Sequence, residues 1–147
     1  MTPYSKVFGS FLRKIEDKDL YLFEVSDQIR MLTGWLDTAI AYIELDGLDI
    51  ESNLSDRDNE SQEFNSDLLN CEIEVIAMYM VAAWYEPKIN SLENTLMFVG
   101  SKDEKWDSQM ARLEMLMNVQ SQKKLEARKY FVKYGYKNNT YLNEEEQ

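Results

Sequence analysis

Histidine is absent from this chain, while cysteine occurs once, proline twice and glycine five times. Without an imidazole, Ser-His-Asp triads, most zinc sites and the Glu-x-x-His di-iron arrangement of helical bundles are excluded. Cys71 has no partner for an internal disulfide and reads as a small buried hydrophobe. So few glycines and prolines argue against a turn-rich all-β fold and for helices joined by short loops. Phosphate-binding motifs are missing as well: Gly100-Ser101-Lys102 is not the G-x-x-x-x-G-K-S/T loop, and no G-x-G-x-x-G occurs. Bases are scarce, 16 against 27 acids, and the net charge of −11 disfavours general nucleic-acid binding. Residues 1–10 carry one lysine and no long apolar core, and no apolar run approaches the roughly 20 residues of a membrane span. The expectation is a soluble protein made in a cytoplasm.

What is present is concentrated between Asn70 and Gly100. Val75 to Tyr85 reads Val-Ile-Ala-Met-Tyr-Met-Val-Ala-Ala-Trp-Tyr, with no charge in it. A helix apolar all round is buried on every side, so this stretch is expected at the centre of the domain. Asn70 is placed to cap it, with Glu72 and Glu74 at the positive end of the helix dipole. Pro87 is expected to kink or end the helix, and a shorter amphipathic piece follows with Leu92, Leu96 and Val99 on one face and Gly100 as its stop.

Around this centre the spacing predicts three further helices. Thr2-Pro3 opens the first, which carries Val7, Phe8, Phe11, Leu12 and Ile15. The second starts near Ser26 and keeps Val25, Ile29, Leu32, Leu36, Ile40 and Ile43 at helical intervals. After a polar linker over 101–107, Ser108 caps a long last helix with Met110, Leu113, Leu116 and Met117 on one side. Gln120 to Lys124 is polar all round, so this helix is expected to leave its core near residue 120 and run on as a projecting arm. The division expected is a helical core domain over 1–120, with its acidic loop at 44–67, and a basic arm and tail over 121–147. The fold class is therefore mainly α, a small helical bundle around a central buried helix.

Charge is distributed unevenly. From Glu44 to Asp67 there are nine acids (44, 46, 49, 51, 56, 58, 60, 63 and 67) with Arg57 as the single base. That stretch is either a disordered acidic loop or a short charged β-hairpin ending at Phe64; it lacks the D-x-D-x-D-G run of a calcium loop. From Lys123 to Lys137 there are six bases (123, 124, 128, 129, 133 and 137) with Glu126 as the single acid. The candidate functional residues are accordingly a partner interface. On the basic side they are Lys124, Leu125, Arg128, Lys129, Tyr130, Phe131, Lys133, Tyr134 and Tyr136. On the acidic side they are Asp56, Asp58, Glu60 and Glu63. Tyrosine, phenylalanine and arginine anchor interfaces, and patches of opposite sign set register between partners. No catalytic residue, metal or cofactor is called for, because the carboxylates lie in polar stretches with nothing to raise a pKa.

Three stretches carry a resemblance. They are Phe11-Leu12-Arg13-Lys14-Ile15, then Phe64-Asn65-Ser66-Asp67-Leu68, and then Asn90-Ser91-Leu92-Glu93-Asn94-Thr95 followed by Gly100-Ser101-Lys102-Asp103 and Ser108-Gln109. In this order they resemble the neck proteins of tailed bacteriophages, the head–tail connectors or adaptors under the portal. The resemblance spans about Lys6 to Met117 and includes departures: Met110 precedes Ala111 where relatives place a small residue directly after Ser-Gln, and the loop is more acidic. It implies a structural virion protein of the neck, made in a bacterial host. It further implies a homo-oligomeric ring, commonly twelvefold, contacts with portal and tail or neck proteins, no membrane, and DNA only as genome passing through the lumen. The rival class is an acidic inhibitor that mimics DNA, an anti-restriction or anti-nuclease protein, against which the concentration of acids in one loop weighs.

Overall fold

The computed structural model describes residues 1–100 and 104–135. Within them four helices, α1 (Tyr4–Leu12), α2 (Val25–Leu45), α3 (Asn70–Val99) and α4 (Trp106–Tyr130), dominate the fold. A 3₁₀ turn at Asp19–Leu22 joins α1 to α2, and a π-helical turn at Phe131–Gly135 continues α4. Three two-residue strands, β1 (Thr2–Pro3), β2 (Arg57–Asp58) and β3 (Glu63–Phe64), form an antiparallel sheet in the order β1-β3-β2. The mainly α class expected from composition is what the chain adopts.

α3 is the axis. Val75, Ile76, Ala77, Tyr79, Met80, Val81, Ala82 and Ala83 are buried, as an all-round apolar helix requires. α1 covers it with Tyr4, Val7 and Phe11, α2 with Leu32, Leu36, Ala39, Ile40 and Ile43, and α4 with Ala127. The start of α3 is set differently from the expectation. Leu69, in extended conformation, is the N-cap, and Asn70 is the first helical residue. Glu72 is 3% exposed, and its carboxylate accepts the Leu69 N–H (2.9 Å) together with the Ser52 N–H (3.3 Å) and hydroxyl (2.9 Å). A buried acid is tolerable only when so bonded, and this one ties the 44–67 segment to the first turn of α3.

Pro87 does not end the helix: α3 runs unbroken for 30 residues, about 45 Å. Proline in a helix interior costs about 3 kcal/mol, because its ring displaces a carbonyl and it donates no hydrogen bond. The packing offsets it. Gln120 of α4 donates to the Ala82 carbonyl oxygen (3.1 Å), just over one turn before the proline, and to Oε2 of Glu86 (2.6 Å), the residue that precedes it. Beyond Pro87, α3 and α4 close a second core of Ile89, Leu96 and Leu113, flanked by Leu92, Trp106, Met110 and Leu116. Among the described residues only these two helices supply that core.

The acidic segment is the hairpin alternative rather than a disordered loop. Asp46-Gly47 closes α2, with Gly47 at φ 69° and the Gly47 and Leu48 N–H groups on the Glu44 and Ile43 carbonyls. The hairpin ends on Phe64, which is fully buried against the Tyr4 ring with centroids 4.9 Å apart. Gln62 at its turn has φ 58°, which aims its carbonyl at the Tyr4 N–H (2.8 Å). Thr2 belongs to β1 and its hydroxyl bridges the Ser66 carbonyl and the Leu68 N–H, so Pro3, not Thr2, is the N-cap of α1.

Candidate interaction surfaces

The expected basic arm does not project over its described residues. α4 begins at Trp106, two residues before Ser108, and lies along α3 to its end. Its polar stretch faces polar groups of its neighbours. Lys124 Nζ stands 3.7 Å from the centre of the Tyr42 ring, whose hydroxyl donates to Glu86 Oε2 (3.1 Å). Arg128 Nη1 donates to Asp46 Oδ2 (2.8 Å), and the buried Tyr79 hydroxyl donates to the same oxygen (2.6 Å). Ala127 is buried in the main core, with Tyr130 and Phe131 packed against it. The helix stays because Gln120, Lys124 and Arg128, four residues apart on one face, meet counterparts on α3, on α2 and at its C-cap, while Ser121 and Gln122 are exposed and Lys123 pairs with Glu126 within α4.

The electrostatics follow the geometry. Burial opposes ionisation of Asp46, but hydrogen bonds from Tyr79 and Arg128 and the charges of Arg128 and Lys124 outweigh it and hold its carboxyl below the usual value. Burial, then the Glu86 carboxylate that accepts its hydrogen bond, pushes the Tyr42 phenol up to about 12. Burial and Asp46 push Tyr79 up in the same way. On the far side of α3, Glu74 is held low against the pull of burial by Lys14 and by the Ser10 hydroxyl (2.9 Å).

Of the basic candidates, therefore, Lys124, Arg128, Tyr130 and Phe131 serve the fold, and Leu125 is half-buried. Lys129 and Lys133 are exposed beside Val132, while Tyr134 is half-buried with its ring 4.6 Å from that of Tyr130. Tyr136 lies outside the described residues. The acidic candidates sit on the hairpin. Asp56 Oδ1 accepts the Asn65 side-chain amide (2.6 Å), Asp58 Oδ1 accepts the Glu60 N–H (2.8 Å), Glu60 is exposed, and Glu63 pairs in the sheet with Pro3 and Asp58. A shallow groove of about 540 Å³ between α2 and the hairpin is lined by Asp37, Glu44, Asp58 and Arg57, with Arg57 Nη2 held on Asp37 (2.9 Å). Among the described residues no ion pair joins a basic candidate to Asp56, Asp58, Glu60 or Glu63.

Sequence reasoning missed two apolar surfaces. Tyr21, Leu22, Phe23 and Val25 are exposed around the 3₁₀ turn, Leu22 to 83%. Met97 and Phe98, at the outer end of α3, are 82% and 92% exposed. The signal was readable: Tyr21-Leu22-Phe23 has no helical interval, and positions 97 and 98 fall off the Leu92–Leu96–Val99 face. A second groove, of about 610 Å³, opens between α2 and α3 and is lined by Met31, Gly34, Trp35, Trp84, Pro87 and Lys88.

Fold and surface together define a mainly α-helical protein whose exposed features are apolar knobs, grooves and separated charge. Compared with models of known families, with curated proteins and with solved structures, the chain matches none. Among the described residues no helix is long and apolar enough to cross a membrane.

Proposed function

We propose that this protein is a structural subunit of a bacteriophage neck, a head–tail connector or adaptor that forms a ring beneath the portal. Its neighbours are further copies of itself, the portal, and tail or neck proteins; the genome passes through the lumen. The reading starts from the three motif stretches of the sequence. The observation that carries it is the amount of large apolar surface left uncovered on one subunit, at Tyr21 to Val25 and at Met97-Phe98. Contiguous apolar exposure of this kind marks contact sites rather than a solvated face. In this reading Lys129, Val132 and Lys133 form one exposed basic edge, and Asp56, Asp58 and Glu60 form an acidic one, available to unlike partners.

The test belongs on particles. Cryo-EM or immunogold labelling of virions from a phage encoding this chain is expected to place it at the head–tail vertex in a closed ring. A chain found only in the lysate and never on the vertex overturns the proposal.

A further inference from the structure

We infer that the outer ends of α3 and α4 unfold together as a separate unit, opening and reclosing while the inner core stays folded, with the boundary at Pro87. Two hydrophobic cores lie along the same pair of helices, and they differ greatly in size. The inner one joins α1, α2, α3, the hairpin and Ala127 of α4. The outer one buries Ile89, Leu96 and Leu113, with Leu92, Trp106, Met110 and Leu116 beside them. Helices shorter than about 12 to 15 residues are marginal alone, and the apolar face they bury supplies most of their stability. Residues 88–99 of α3 and 106–117 of α4 are two such lengths. Among the described residues, their buried apolar side chains pack on one another and on Tyr85 alone.

The boundary is marked from both sides. Pro87 has no N–H, so the Ala83 carbonyl lacks the donor that a helix would supply, and the hydrogen-bond ladder of α3 is interrupted where the two cores part. Immediately inside it, Glu86 Oε2 accepts the Tyr42 hydroxyl (3.1 Å) and the Gln120 side-chain amide (2.6 Å). Gln120 also donates to the Ala82 carbonyl oxygen (3.1 Å), so α2, α3 and α4 are clamped at one level. Unravelling that starts where α3 connects to α4 can therefore run back to Pro87 and Gln120 and stop there. Tyr85, half-buried and packed against both cores, is the side-chain link across the boundary. Proteins open in such contiguous units at less than the cost of global unfolding. Phe98, 92% exposed, is carried by the opening unit, and opening adds Ile89, Leu96 and Leu113 to the apolar surface of this end.

Hydrogen exchange of the full chain tests this on one subunit in solution, apart from the neck reading. Exchange is followed amide by amide by NMR at neutral pH, without urea and in urea below the unfolding transition. Amides of residues 91–98 and 110–117 are expected to exchange through one shared opening. Their protection should be lower by about tenfold or more than that of residues 76–83, with a smaller urea dependence because less surface is exposed. Two variants separate the units. Ile40→Val weakens the inner core and should speed exchange of the inner amides by about two- to tenfold. It should leave the outer set unchanged, because the inner core is intact in the closed and the opened state alike. Leu96→Ala weakens the outer core and should speed both sets by a common factor of about tenfold or more, since global unfolding loses the same contact. The inference is overturned by one protection level and one urea dependence common to both sets, or by outer amides that exchange singly with no urea dependence. It is equally overturned if Ile40→Val accelerates both sets alike, or if Leu96→Ala leaves the outer set unchanged.

Discussion

Asp46 closes α2 and receives both the Tyr79 hydroxyl and the Arg128 guanidinium on one oxygen, which makes it the residue on which α2, α3 and α4 converge. Tyr79 is fully buried and its partner is ionised, so Tyr79→Phe is expected to lower stability by about 2 kcal/mol in urea unfolding at neutral pH. The Arg128 side is about one-third exposed, and Arg128→Ala should cost less, about 0.5 to 1 kcal/mol. Asp46 is held below its ordinary value of 3.8, so its contribution is present above that value and is lost as pH falls through the lower folded value. The Tyr79→Phe penalty should therefore shrink in acid; a penalty that stays constant down to pH 2 would remove Asp46 from the account. Tyr42 gives the opposite edge. Its phenol is raised from 10.0 to about 12, so its contribution is full below 10.0 and disappears as pH rises through about 12. Absorbance titration of tyrosinate in wild type and Tyr42→Phe should show one phenol fewer titrating near that upper value.

Among the elements, α3 was the most legible and α4 the least. The uncharged run from Val75 to Tyr85 announces burial by composition alone, and Asp46-Gly47 and Phe64 mark the ends of α2 and of the hairpin. Pro87 misled because the local cost of a proline is plain in sequence, while the packing that offsets it, Gln120 on Ala82 and the Ile89–Leu96–Leu113 core, is not. The polar stretch of α4 misled for a related reason. A lysine over a tyrosine ring and an arginine on a carboxylate look solvated in a sequence, since a periodicity of apolar residues does not register buried side-chain stems or polar partners on other helices. Two outcomes follow for α3. Pro87→Ala restores a helix N–H at an exposed position and should raise the melting temperature; a lower one would mean that α4 packs only on a proline-bent helix. Val81→Asp places an unpaired charge in the core and should abolish soluble expression, whereas a soluble variant melting like wild type would put Val81 at the surface.

At the scale of the whole molecule the expected boundary at residue 120 falls inside a helix that supplies both cores. Leu113 belongs to the outer one, and Ala127 with Tyr130 and Phe131 to the inner one. Truncation after Val119 should therefore yield a destabilised or insoluble product, read by loss of a cooperative circular-dichroism melt, and not an intact core lacking an appendage. Of the interface candidates, the sequence showed charge and aromatic content correctly but could not separate groups turned inward, such as Arg128, from groups turned outward, such as Lys129. That distinction depends on the angle at which α4 crosses α3.

The placement of Ala127 has a consequence during synthesis. The side of α3 that it covers is translated about fifty residues earlier, so a nascent chain holds Val75, Tyr79 and their neighbours without that cover while α4 is still being made. Pauses in translation before Ala127 would lengthen the time for which that apolar side of α3 is uncovered.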